Sequence, residues 1–173
     1  DSDGDADSDT DSDADSDADS DTDADGDTDA CASGAYSGAV TIESPADLTA
    51  LEGYTSITGN LTFDCASCTN VDSLVCLQSV SGNVYFEIGN DALADVDGLA
   101  NLSTIGGYLD IWDCDALQDL DGLSNLTSIG QTLHVEALDL VTSLAGLAGV
   151  EEIGGSVDIK YNDALTDLGL ASL

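Results

Sequence analysis

Basic side chains are almost absent from this sequence of 173 residues, which has Lys160 as its one lysine and no arginine. Against that lysine stand 36 acidic residues, and the formal net charge at pH 7 is −35. A chain of this charge repels phosphates, so nucleic acid and anionic membrane surfaces are not expected as partners. No apolar run approaches the roughly 20 residues of a membrane-spanning helix, so we expect no membrane insertion.

Cysteine is sparse and unevenly placed. Four of the five cysteines lie close to the start of the region that follows residue 30: Cys31, Cys65, Cys68 and Cys76. Such clustering is typical of an oxidising compartment, and it predicts two disulfides and an extracellular or cell-surface location. Four cysteines allow three pairings, and all three stay open at this stage. Zinc at Cys65-x-x-Cys68 is the alternative, but no second such pair follows and the one histidine is distant.

Residues 1–30 form a low-complexity acidic tail in which aspartate alternates with Ser, Thr, Ala or Gly. Nothing in it can form a core, so we expect an extended stalk. Its carboxylates suit calcium, but no EF-hand pattern is present, so any binding should be weak and collective. The tail is therefore a solvated spacer or a calcium-binding segment. The candidate ligands are Asp1, Asp3, Asp5, Asp7, Asp9, Asp11, Asp13, Asp15, Asp17, Asp19, Asp21, Asp23, Asp25, Asp27 and Asp29.

Residues 31–56 are predicted to be an N-terminal cap with one short helix. Ser44 is a suitable N-cap, Pro45 suits the first helical position, and Asp47 falls in the first turn. Gly53 is a natural stop, which predicts a helix of about two turns. We expect this helix to cover the open end of the region that follows.

Residues 57–173 are predicted to contain about five repeats, the last of them incomplete. The residue after each turn recurs at intervals of 23, 25, 24 and 24, at Leu61, Val84, Leu109, Leu133 and Val157. A period in this range indicates a solenoid, whose coils bury their apolar faces on their neighbours.

Two periods occur within one repeat. Residues 109–112, Leu-Asp-Ile-Trp, alternate as a short strand with one solvated face does. Apolar residues then recur every third position, at Leu117, Leu120, Leu123, Leu126 and Ile129, and again at Val141, Leu144, Leu147, Val150 and Ile153. This pattern predicts a mainly β fold, a parallel solenoid. Asn90 and Asn162 follow their strands, where an inward amide can bond the backbone of the turn.

The repeat G-x-L-x-I-x-x-N-x-x-L-x-x-L-x-G-L-x-x-L-x-x-I resembles the receptor L-domain class of leucine-rich repeat, over residues 57–173 well and 40–56 loosely. The resemblance implies a right-handed parallel solenoid and a ligand-binding surface domain. The acidic tail followed by such a domain is similar to surface proteins of bacteria. Cys114 stands at the Asn position of its repeat, where this class commonly accepts cysteine, so we expect a free, buried thiol.

The strand alternation predicts two outward columns on the sheet. One column holds Thr62, Tyr85, Asp110, His134 and Asp158, and the other holds Asp64, Glu87, Trp112, Glu136 and Lys160. A single tryptophan outside the core, among carboxylates, His and Tyr, makes this face the candidate binding surface. The predicted binding residues are Tyr85, Glu87, Asp110, Trp112, His134, Glu136, Asp158 and Lys160. The alternative is an ordinary polar face in which Tyr85 and Trp112 pack across strands.

We expect no enzymatic activity. His134 has acidic neighbours, but no nucleophile-elbow motif is present and a flat sheet face excludes little water. Glu87 and Glu136 lie two strands apart, near the spacing of inverting glycosidases, but nothing in the sequence builds a cleft around them.

Two functions therefore compete. The first is a binding or adhesion module on an acidic stalk, which engages an extracellular protein or a glycan. The second is a structural subunit of a surface layer or fibre, which self-associates through its solenoid ends or through calcium-bridged tails. The last repeat stops at Leu173 partway round, so we expect a partner chain to cover that end or the sequence to be truncated.

Overall fold

The computed structural model of the chain describes residue 31 and residues 33–173. Two parallel sheets of six strands each dominate this part of the chain. The long-strand sheet contains β2 (Val40–Ile42), β4 (Leu61–Phe63), β6 (Val84–Phe86), β8 (Leu109–Trp112), β10 (Leu133–Glu136) and β12 (Val157–Lys160). The second sheet contains β1 (Gly34–Tyr36), β3 (Tyr54–Ile57), β5 (Ser79–Val80), β7 (Thr104–Ile105), β9 (Ser128–Ile129) and β11 (Glu152–Ile153).

Each coil of the solenoid-like fold visits both sheets once. After a strand of the long-strand sheet the chain makes a short 3₁₀ turn, enters the second sheet, and returns. The 3₁₀ turns are Asp72–Leu74, Asp97–Leu99, Asp121–Leu123 and Ala145–Leu147. Both sheets begin at β1 and β2, inside the segment 31–56 that the sequence suggested was only a cap.

Alternate residues of the long strands point into the core and out to solvent, as the sequence predicted. In β8, Leu109 and Ile111 are fully buried, whereas Trp112 is exposed. The leucines that recur every third residue point inward at each corner of the coil, and Leu117, Leu120 and Leu123 are inaccessible to solvent. One continuous apolar cluster therefore runs along the axis through all coils.

The helix α1 is shorter than the sequence predicted. It spans Pro45–Thr49, about one turn, and does not extend to Gly53. Its start agrees with the prediction, since the Asp47 carboxylate accepts hydrogen bonds from the Ser44 N–H at 2.9 Å and the Ser44 hydroxyl at 2.8 Å. These bonds, with that from the Ser44 side chain the largest cause, lower the pKa of Asp47. Gly53, at φ +84°, instead ends the turn that leads into β3.

Two disulfides tie the first coils together. Cys31 pairs with Cys76, 45 residues away, and Cys65 pairs with Cys68. The CxxC pair is thus a disulfide rather than a metal site in this structure. Closing a loop of that length with the Cys31–Cys76 bond contributes about 4 kcal/mol in the chain-entropy account. The same bond fixes residue 31, where the acidic tail ends, beside the first 3₁₀ turn.

Candidate functional site

The two outward columns of the long-strand sheet lie in register. Tyr85 pairs with Asp110 and Asp110 with His134 in one column, and Trp112 pairs with Glu136 in the other. His134 and Glu136 then pair with Asp158 and Lys160 of β12. Strands in a parallel sheet lie about 4.8 Å apart, so these side chains are neighbours along each column. Glu87 comes directly after β6, beyond its last paired residue.

A groove of about 390 Å³ opens on this face between β6 and β8. Its lining residues are Tyr85, Phe86, Glu87, Ile88, Asp110 and Trp112. Trp112 is 41 % exposed and Ile88 is 53 % exposed, so two large apolar side chains meet solvent here. Tyr85 and Trp112 both line the groove but do not pack on each other, since the ring contacts of the described residues are Tyr36–Tyr54 and Phe63–Phe86.

The groove exists because the coil that contains β6 is one residue longer at this point. Two residues separate Ile111 from Cys114 at the corresponding place in the next coil, but three separate Phe86 from Asn90. The extra length pushes Ile88 outward as a wall of the groove, and Gly89 turns the chain back at φ +111°. A backbone with φ in this range favours glycine, which has no Cβ to clash.

Asn90 holds the longer turn in place from inside. It is buried, its amide nitrogen donates to the carbonyls of Phe63 at 2.8 Å and Glu87 at 2.7 Å, and its Oδ1 accepts the Cys65 N–H at 3.1 Å. The bond to the Glu87 carbonyl satisfies a backbone acceptor within the longer turn, and the other two bonds have the same form as those of Asn162 in the last coil. Asn90 therefore helps to hold the wall of the groove from within the core.

An ion-pair network crosses the neighbouring coils. His134 Nδ1 lies 2.7 Å from Asp110 Oδ1, and His134 Nε2 lies 2.8 Å from Glu136 Oε2. Lys160 Nζ lies 2.9 Å from Asp158 Oδ2 and 3.6 Å from Glu136 Oε2. Both cationic side chains of the sequence are thus bound to carboxylates of the same face, and of these carboxylates only Asp110 also lines the groove.

The network shifts the pKa values of its cationic members. Burial pulls the pKa of His134 down, but the hydrogen bonds with Asp110 and Glu136 outweigh burial and raise it above its ordinary value. The pKa of Lys160 is also raised, chiefly by the hydrogen bond with Asp158. Protonation of His134 therefore favours the paired arrangement, since the charged ring donates from both nitrogens.

Cys114 is free and buried directly beneath this face. Its Sγ lies 3.6 Å from the carbonyl oxygen of Trp112, to which the thiol donates a weak hydrogen bond. Burial, reinforced by the charge of Asp113, raises the pKa of the thiol to about 12. A thiol with a pKa raised in this way is protonated near neutral pH, and its hydrogen bond to the Trp112 carbonyl helps to hold the turn.

Residues 33–173, with residue 31, contain no cluster of three or more His, Cys, Asp or Glu side chains arranged to hold a metal ion. The proposed calcium ligands of the tail lie outside the described residues, so weak calcium binding there stays a prediction. In the same part of the chain no helix has the length and apolar character to cross a membrane.

Sequence reasoning found the columns but missed the groove, whose wall and floor include Ile88 and Phe86. The available signal was the interval of 25 residues between Val84 and Leu109, the longest in the series. A longer coil in a solenoid places one residue outside the regular stack.

Comparisons of the chain with protein-family models, with curated proteins and with solved structures find no match.

Proposed function

We propose that this protein is a non-enzymatic binding or adhesion module of the cell surface or extracellular space, whose ligand occupies the groove beside Trp112. The observation that carries the proposal is an exposed tryptophan at a groove built by the one lengthened coil. Ligand sites are typically concave and largely apolar, with a few placed polar groups, and this groove fits that description. Two disulfides support an oxidising location.

The absence of catalysis is part of the proposal. A general base needs one free nitrogen within reach of the proton it abstracts. Both ring nitrogens of His134 instead contact carboxylates, which leaves neither to activate a hydroxyl or a thiol. The high pKa of Cys114 keeps the only free thiol protonated.

The receptor L-domain-like repeat type and the stalk belong to the same proposal. The repeat is supported by buried Asn90 and by Cys114 at the equivalent position of the next coil, both bonded to the backbone of the turn. The acidic tail would hold the domain away from the cell surface as a spacer, with or without weakly bound calcium.

The proposal is tested with immobilised neutral oligosaccharides and with basic and acidic peptides. We expect at least one of these probes to bind the wild type and Val75→Ala equally, and Trp112→Ala at least tenfold more weakly. Val75 is an exposed apolar residue on a 3₁₀ turn, away from the sheet face, so it is the matched control. Failure of all probes to distinguish Trp112→Ala from the control would refute the proposed site.

The free energy of unfolding is measured for the same variants. Trp112→Ala should lower the free energy of unfolding by less than Leu120→Ala, because Leu120 is fully buried. A Leu→Ala change in a packed core destabilises by roughly 2–5 kcal/mol. An equal loss for Trp112→Ala would mean that the tryptophan contributes to packing rather than to binding.

The second candidate is a self-associating structural subunit, and the last coil favours it. Strands β11 and β12 lie at the ends of their sheets, so within the described residues each has one unpaired edge. Val157 and Leu168, 46 % and 54 % exposed, present apolar surface there. Sedimentation over a range of concentrations, with and without a chelator, distinguishes the two candidates, since a monomer throughout would argue against self-assembly.

A further inference from the structure

We infer that the groove between β6 and β8 binds the side chain of a lysine or arginine from a basic segment of a partner protein. The inference rests on the proposed function, because it names the ligand class of the same groove. It is carried by three properties of the groove: its charge, its apolar walls and its lack of a counter-ion.

The charged groups of the groove are both carboxylates. Glu87 is exposed at one wall, and within the described residues its carboxylate makes no hydrogen bond or ion pair. Asp110 at the other side shares its charge with His134. No basic side chain lines the groove, so a cationic group entering it would meet an unpaired carboxylate at Glu87 and a second one nearby.

The apolar lining fits the rest of such a side chain. Lysine and arginine bury their aliphatic stems along apolar surface while the charged end stays polar, and Ile88 offers such a surface. Trp112 offers an aromatic face, the preferred partner of an ammonium or guanidinium group. An oligosaccharide would need hydrogen-bond partners where Ile88 has none, so the lining favours a basic peptide.

Residues 1–173 do not supply the occupant. The only lysine of the chain is paired with Asp158 and Glu136, and there is no arginine. A second copy therefore offers no unpaired basic side chain to the groove. The net charge of −35 also draws basic partners from a distance, which raises their association rate.

The test measures binding of the full chain to a fluorescently labelled tetralysine peptide by anisotropy, at about 150 mM salt, where long-range attraction is screened beyond roughly 8 Å. The key comparison is Glu87→Gln with Glu151→Gln. Both substitutions remove one exposed carboxylate and change the net charge equally, but only Glu87 lines the groove. A tetraglutamine peptide reports binding that needs no charge, and a deacetylated chitin oligomer reports a cationic sugar.

We expect Glu87→Gln to weaken tetralysine binding about tenfold, as loss of one charge-assisted contact does. We expect Trp112→Leu to weaken it several-fold and Glu151→Gln to leave it unchanged. Equal effects of Glu87→Gln and Glu151→Gln, or equal binding of tetraglutamine, would overturn the inference. Tighter binding of the sugar through the same residues would overturn the choice of a peptide.

Different results would contradict the proposed binding function and the proposed ligand class. If a neutral or acidic probe binds in a Trp112-dependent way while tetralysine does not, the ligand class is wrong and the binding function stands. If no probe depends on Trp112, the groove is not the site and both proposals fall.

Discussion

Gly122→Ala should destabilise the solenoid strongly, because at Gly122 the backbones of two successive coils lie too close together to admit a Cβ. A Cβ at this position would lie 1.9 Å from the Val96 carbonyl oxygen and 2.7 Å from the Asp97 nitrogen. Ordinary carbon–oxygen contacts are about 3.3 Å or longer, so the coils would have to separate by more than about 1 Å. The obstructing atoms are backbone, and a rotamer change cannot relieve the clash.

The magnitude follows from two opposing effects. Overpacking typically lowers the free energy of unfolding by about 1–3 kcal/mol, and movement of a hydrogen-bonded backbone belongs at the upper end. Replacing glycine also restricts the unfolded chain, which by itself stabilises the fold by about 0.4–1 kcal/mol. We therefore expect a net loss of about 2–2.6 kcal/mol. Gly98 and Gly146, whose Cβ positions are obstructed in the same way, should respond similarly.

The assay is urea denaturation followed by the fluorescence of Trp112, the single tryptophan of the chain. Ser73 provides the matched control, because it occupies the same position of the first 3₁₀ turn, where a side chain is already accommodated. Ser73→Ala should change the free energy of unfolding by less than about 0.5 kcal/mol, as ordinary surface substitutions do. A Gly122→Ala protein within about 0.5 kcal/mol of the wild type would refute this account of coil stacking.

Two further predictions concern titrating groups. The raised pKa of His134 contributes stability that is complete below its unfolded-state pKa of about 6.5 and is lost as pH rises through the folded-state pKa. The midpoint temperature of thermal unfolding should therefore decrease from pH 6 to pH 9, and it should decrease less in His134→Gln. Parallel profiles for the two proteins would show that the ring pairs do not stabilise the fold. Cys114, with its pKa near 12, should resist alkylation at pH 8 in the native protein and be the single thiol labelled after unfolding without reductant. Rapid native labelling, or a second labelled thiol, would contradict the observed burial and disulfides.

The core and the face of the solenoid could be predicted because each depends on a short period. Leu117, Leu120 and Leu123 follow one another at a spacing that places each on a successive corner of the coil, and all three are buried. The columns through Asp110 and His134 follow from strand alternation plus the repeat length, and the register agrees. Two regular periods therefore determine which side chains lie inside and which lie outside.

Features that depend on contacts between coils could not be predicted in this way. The pairing of Cys31 with Cys76 depends on where the chain enters the first coil, which no local pattern records. The end of α1 at Thr49 depends on packing, because Leu48 and Leu51 are both buried against the first coil and the chain turns between them. The second sheet, made of strands as short as two residues, is also too brief to leave an alternating pattern.

The groove illustrates why a repeat protein acquires a site more readily by a change in length than by substitution. Identical coils stack their outward side chains into flat columns, and exchanging one side chain alters the chemistry of that surface without making it concave. One additional residue, at Ile88, must leave the stack, and it creates a wall only if the displaced backbone groups find new partners. Asn90 binds one of these groups, the Glu87 carbonyl, from within the core. Loss of the Asn90 amide would therefore remove the shape of the groove while leaving Glu87 and Trp112 in the sequence, which separates the contribution of shape from that of chemistry.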